Sequence, residues 1–163
     1  MENRYYSIPA APDEITAVNI ICRMVAGIGF RFYWATEGLT EEVYAFRPSE
    51  DARSIAETVE HIWDLLHWTY GAIDSVGKAK PNGAQELQKG VLELIAIVED
   101  TFAKMDNKQL TAIRILEQHF WPIINGPLSD VLTHIGQIST LRRIAGSPVP
   151  DSNPFEGTPP SRK

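Results

Sequence analysis

Four stretches of the chain repeat apolar residues every three or four positions, which is the period of an amphipathic helix. Pro12 and Asp13 suit the first turn of a helix, as does Pro127, whereas Gly38 and Gly146 are typical stops. The pattern therefore predicts four helices, over residues 13–36, 52–75, 84–106 and 127–145.

The segments between these helices are polar or carry helix breakers. Residues 39–50 contain Pro48, residues 77–83 form a polar linker, and residues 108–126 predict a loop with a short extended or helical piece. The pattern as a whole indicates an all-α protein, a four-helix bundle spanning residues 1–146. Five prolines in residues 147–163 predict an extended C-terminal tail that at most drapes on the bundle.

Length, charge and cysteine usage narrow the class. A chain of 163 residues suits one domain, and a net charge of −6 argues against direct nucleic-acid binding. The single cysteine, Cys22, excludes an internal disulfide and favours a core position in a reducing compartment. Residues 1–13 lack signal-peptide features, and the apolar run 15–34 is interrupted by Arg23 and Arg31, so we expect a cytoplasmic protein without a membrane span.

Two helices carry the candidate chemistry. His61 lies beside the apolar seam of the second helix, and Asp130, His134 and Gln137 form one row down the fourth. A carboxylate and an imidazole four residues apart can both bind one ion, and a histidine from another helix completes a site for Zn²⁺, Ni²⁺ or Fe²⁺. The spacing alone equally fits a structural histidine and an acidic residue that favours the helix N-terminus.

Three neighbouring residues have a weaker pattern behind them. Glu57 follows Ser54 by three positions, the spacing of a capping box, and it also lies one turn before His61, where it could orient the imidazole. Gln137 could contact His134 or a substrate. His119 could line a pocket mouth, although no spacing supports a role for it.

Four short motifs are similar to those of the DinB/YfiT-like family. They are Gly-Leu-Thr-Glu-Glu-Val-Tyr at 38–44, Phe-Arg-Pro at 46–48, Ser-Ile-Ala-Glu-Thr-Val-Glu-His at 54–61 and His-Ile-Gly-Gln at 134–137. The resemblance covers about residues 13–145. It implies a four-helix bundle in which three histidines hold a divalent metal, one on the second helix and two on the fourth.

The resemblance assigns ligands residue by residue. His61 matches the first histidine and His134 the last, while Asp130 stands in place of the middle one. The arginine that usually follows the last histidine is Ile135 here. Asp130 can ligate in place of imidazole, but the substitution is also compatible with a lost metal site.

The resemblance implies a metal-dependent enzyme, a thiol-dependent transferase or a hydrolase acting on a small molecule. Ni or Zn are the expected metals, with Fe as a further option and a low-molecular-weight thiol as co-substrate. The alternative is a non-catalytic bundle that binds a small apolar ligand or a partner. A homodimer fits either function. The family's up-down-down-up order would require the linker after the second helix to cross the bundle, within a reach of about 35 Å for ten residues.

Overall fold

The computed structural model describes residues 3–74, 77–115 and 117–161, and these form an all-α structure. The long helices are α1 (Ala17–Thr36), α3 (Ile55–Ile73), α4 (Ala84–Ala103) and α7 (Ser129–Ile144). Shorter helices lie between them: α2 (Glu41–Ala45), α5 (Asn107–Ala112) and α6 (Trp121–Ile123). Within the described ranges no strand is present beyond two isolated bridges, so the all-α part of the predicted fold class is confirmed.

Side-chain caps set where two of the long helices begin. The Thr16 hydroxyl accepts the backbone N–H of Asn19 at 3.1 Å, so α1 begins at Ala17 rather than near Asp13. The predicted capping box of α3 is confirmed, because Ser54 and Glu57 each accept the other's backbone N–H. The start of the first helix predicted at residue 13 is four residues too early.

A short helical segment precedes the fourth helix. Helical backbone begins at Trp121, is interrupted at Gly126 inside the wide turn Ile124–Leu128, and resumes at Pro127, the predicted start of the fourth helix, before α7. Pro127 has no N–H to donate, and Gly126 leaves helical geometry at φ −93° and ψ −107°. The Ser129 hydroxyl donates to the carbonyl of Ile124 at 2.6 Å and closes the wide turn. This turn lies immediately before Asp130.

α1 and α4 pack antiparallel against each other. The Cys22 thiol near the start of α1 approaches the Glu99 carbonyl late in α4 at 3.8 Å, and the Gln88 amide near the start of α4 donates to Thr36 at the end of α1 at 3.0 Å. Cys22, expected in the core, is half-buried at this contact. α3 and α7 pack on the same core, whose fully buried residues include Val25, Ile28, Phe32, Ile62, Leu66, Ile95, Val98, Val131 and Ile138.

The linker between α3 and α4 returns along the side of α3. Lys78 Nζ lies 2.8 Å from a Glu93 carboxylate oxygen, while Lys80 Nζ lies 2.7 Å from Asp64 and 3.2 Å from Glu60, nearer the start of α3. α3 and α4 are therefore parallel. At about 1.5 Å per residue, α3 is about 28 Å long, which is within the linker's reach.

Gly90 permits this crossing. A Cβ at Gly90 would lie 2.5 Å from Pro81 of the linker and 3.0 Å from Trp63 of α3, so the site has no room for a methyl group. We expect Gly90→Ala to lower the free energy of unfolding by about 1–3 kcal/mol in urea titrations. Gly71→Ala is the matched control, because a Cβ there meets nothing within 4 Å, and it should stabilise α3 by up to about 1 kcal/mol. Equal effects of the two substitutions would contradict close packing at Gly90.

The C-terminal segment contains a turn and is held against the N-terminal segment. An isolated bridge pairs Asn153 with Thr158, so residues 147–161 are not simply extended. The backbone N–H of Ile8 donates to the Gly157 carbonyl at 2.8 Å, where a positive φ and the contact with Ile8 both require glycine. None of the helices in the described ranges is long and apolar enough to cross a membrane.

Candidate metal centre

The structure brings together the three residues that the sequence singles out as metal ligands. His61 lies in the second turn of α3, and Asp130 and His134 occupy successive turns of α7, which packs against α3. Asp130 Oδ2 is 3.5 Å from His134 Nε2 and 3.9 Å from His61 Nε2. One potential ligand atom from each residue lies within 4.8 Å of the others, so this group could hold a metal ion.

These distances can be compared with those a metal requires. Two ligands about 2.1 Å from a tetrahedral ion lie about 3.4 Å apart. The distance from Asp130 Oδ2 to His134 Nε2 already has about this value. The distance from Asp130 Oδ2 to His61 Nε2 is about half an ångström longer, a difference that a small side-chain rotation removes. Two imidazole nitrogens and one carboxylate oxygen are a donor set that Zn²⁺, Ni²⁺ and Fe²⁺ accept. The residues present therefore fit a divalent ion.

Gln137 orients the buried ligand His134. His134 Nδ1 lies 2.7 Å from Gln137 Oε1, and the imidazole donates in this hydrogen bond because an amide oxygen only accepts. The proton is thereby held on Nδ1, and the lone pair is left on Nε2, the atom that faces Asp130. The predicted contact between Gln137 and His134 is present.

His61 is more exposed than His134 and is kept neutral by its surroundings. Its pKa is lowered first by burial, then by the positive charge of Arg53 and by His134, with Asp130 and Asp64 partly opposing the shift. A neutral imidazole at pH 7 has the free lone pair that a metal ligand needs. The ring of His61 meets that of His134 edge to face, with centroids 4.6 Å apart.

Glu57 serves the helix cap. One carboxylate oxygen accepts the Ser54 N–H at 2.7 Å and the other accepts from Arg47 at 2.6 Å. These two contacts lower the pKa of Glu57 to about 2. Both residues are in the described part of the chain, and no hydrogen bond joins Glu57 to His61 there. The capping interpretation of Glu57 is thus the one with structural support.

Two open clefts lie beside the two candidate histidine ligands. A cleft of about 670 Å³ is lined by His134 and Gln137 together with Arg53, Thr58 and Thr140, and Arg53 is the charged side chain among its walls. A smaller cleft of about 310 Å³ opens beside His61, and Arg53 lines it as well. Among the described residues, no carboxylate lies within ion-pairing distance of Arg53.

Sequence reasoning did not single out Arg53. It belongs to no helix and has no periodic position, and its only sequence signal is its place directly before the Ser54 cap. The capping box fixes the direction in which the chain enters α3, and so brings this side chain to both clefts.

Comparison with known proteins adds no relative. No protein-family model, no curated protein and no solved structure matches the chain. The similarity to the DinB/YfiT-like family thus rests on the short sequence motifs, and membership in that family stays a prediction.

Proposed function

We propose that this protein is a divalent-metal-dependent enzyme of the DinB-like class, a thiol-dependent transferase or a hydrolase of small molecules. His61, Asp130 and His134 are the metal ligands. The observation that carries the proposal is the convergence of these three ligand atoms, within 4.8 Å, from two helices, with His134 lining an open cleft. Acidic groups often cluster without a metal, but here two of the three residues are histidines and one of them is 7% exposed.

The helix arrangement supports a four-helix bundle of the DinB-like kind. α1, α3, α4 and α7 pack around a common core, with α3 parallel to α4 and antiparallel to α1. α7 runs alongside α1, because Arg142 in its last turn contacts the last turn of α1. This up-down-down-up order is the one that the resemblance implies.

Each residue at the proposed site would have a separate role. A divalent ion, when bound, would act as a Lewis acid and lower the pKa of a coordinated water or thiol. Three protein ligands leave a position open toward the cleft for a small molecule. Asp130 would ligate through Oδ2, which leaves Oδ1 to accept a proton. Arg53 would bind an anionic group of the substrate, and the amide nitrogen of Gln137, Nε2, would offer hydrogen-bond donors to the cleft.

Metal analysis of protein purified without an affinity tag tests the proposal. We expect about one equivalent of Zn, Ni or Fe, removable by a chelator. Re-adding metal at about 100 times its Kd should stabilise the fold by about 2.7 kcal/mol, which for a domain of this size raises Tm by about 5–10 °C. His119→Ala, an exposed histidine outside the ligand set, should behave as wild type. If the purified protein contains no metal, and neither a chelator nor added metal changes its Tm, the proposal of a metal-dependent enzyme is refuted.

One observation favours the alternative, a non-catalytic binding protein. A cleft of about 550 Å³ opens between α1 and the α5–α6 region, and its walls are mostly apolar: Ile20, Ile21, Met24, Leu110, Phe120 and Trp121. His119 lies at this cleft, as expected of a pocket mouth, while Ile20 and Trp121 are 58% and 69% exposed. Such a surface suits a small apolar ligand or a partner. Saturable binding of an apolar ligand by protein that takes up no metal would support it.

A further inference from the structure

A second large cavity lies on a different face of α7 from the metal centre. It occupies about 750 Å³ between α1, α7 and the C-terminal segment. The half-buried Met24, Leu132 and Val149 contribute apolar surface, and three guanidinium groups line the cavity as well: Arg23, Arg31 and Arg143. We call this cavity the arginine groove.

The three arginines of the groove are not neutralised by the protein. No described carboxylate lies within 4.0 Å of any of them, and Asp151 is the acidic residue of the lining. Arg23 donates to the Pro9 carbonyl at 2.6 Å, whereas Arg31 makes a long contact of 3.4 Å to a carbonyl of its own helix. Positive charge is therefore concentrated here, in a chain whose net charge is −6.

The outer wall of the groove is held in place at both ends. Residues 149–152 and Pro154 of the C-terminal segment line the cavity. Before this stretch, Arg142 donates to the Ser147 carbonyl at 2.5 Å, and after it the Gly157 carbonyl accepts from Ile8 at 2.8 Å. The cavity is thus formed by the protein itself, and its volume falls in the range of small-molecule sites, about 300–1,000 Å³.

We propose that the arginine groove binds a small organic anion with an apolar body. Guanidinium groups pair with the two oxygens of a carboxylate, sulfonate or phosphate, and their planar faces tolerate an aromatic neighbour. Met24, Leu132 and Val149 would contact the hydrocarbon part of the ligand, which an inorganic anion lacks. The site is independent of the metal centre and does not require the protein to be an enzyme.

Fluorescence titration with anilinonaphthalene sulfonate, an aromatic sulfonate, tests this site on the full chain. We expect saturable binding by wild type and at least about tenfold weaker binding by the double variant Arg31→Gln/Arg143→Gln. Both side chains are exposed, so the variant should keep its far-ultraviolet circular dichroism and its Tm. Arg114→Gln, an exposed arginine elsewhere, is the matched control and should bind as wild type.

A neutral probe separates charge recognition from apolar contact. N-phenylnaphthylamine has the same rings without the sulfonate, and its affinity should be equal for wild type and the double variant. Sulfonate binding that is equal in these two proteins, or absent from wild type, would overturn the proposal. An equal loss of both probes in the double variant would also contradict it, because the arginines would then act through packing alone.

Discussion

Arg142→Met is expected to lower the free energy of unfolding by about 3–5 kcal/mol, the largest effect on stability that we predict for one side chain. Arg142 is 3% exposed, and its Nη1 donates to the carbonyls of Trp34 at 3.1 Å, Ala35 at 3.0 Å and Glu37 at 3.3 Å. These carbonyls belong to the end of α1, where no further turn supplies donors. Methionine fills a similar volume but leaves them without partners.

The environment of Arg142 explains how a buried charge is tolerated there. Burial lowers the pKa of Arg142, partly opposed by Tyr44 and Glu37, yet a guanidinium remains protonated in proteins. The C-terminal end of α1 carries the negative pole of the helix dipole, which favours a cation. Arg142 also donates to Ser147, so it joins α1, α7 and the C-terminal segment.

Urea unfolding of Arg142→Met beside Arg143→Met checks this prediction. The control removes the same charge from the adjacent, exposed position, and should change stability by less than about 0.5 kcal/mol. Similar losses in the two variants would mean that the loss of charge, rather than the buried hydrogen bonds, sets the effect. A smaller loss than 1 kcal/mol in Arg142→Met would contradict the bridging role.

Periodicity predicted the long helices because each has one apolar face toward the core. The same pattern contained Arg142, since Val131, Ile135, Ile138 and Arg142 follow each other by four, three and four residues. From the sequence alone, an arginine at the end of an apolar row indicates only that the helix terminus is near. Its role depends on α1 ending beside it, and that is a tertiary relation which a one-helix pattern does not contain.

More of the candidate metal site than of the structure around it could be predicted from the sequence. Asp130 and His134 follow from the four-residue spacing on one helix, and His61 from its place beside the apolar seam of another; the family resemblance then assigned these positions as ligands. The helical turn Trp121–Ile123 was predicted only as part of a loop with a short extended or helical piece, because Gly126 interrupts the helical pattern before Pro127. Arg53 was missed because a loop residue has no period to reveal which way it faces.

Asp130→Ala is expected to weaken divalent-metal affinity by about 100-fold or more, equivalent to about 2.8 kcal/mol at 1.4 kcal/mol per factor of ten. Asp130 Oδ2 lies 3.5 Å from His134 Nε2 and 3.9 Å from His61 Nε2, which is close enough for one ion to contact all three atoms. Isothermal titration of Zn²⁺ or Ni²⁺ into metal-free protein measures the change. His134→Ala should lose at least as much affinity, because that ligand is the most buried of the three.

Two further substitutions separate ligation by Asp130 from its position in the first turn of α7. Asp130→His introduces the residue type that DinB/YfiT-like proteins have at the similar position, and should keep binding within about tenfold of wild type, because imidazole ligates the same ions. Asp51→Asn removes a negative charge beside the smaller cleft without touching the ligand set, and should leave the affinity unchanged. If Asp130→Ala binds metal as wild type does while His134→Ala does not, Asp130 only stabilises the helix terminus, and the two histidines alone hold the ion.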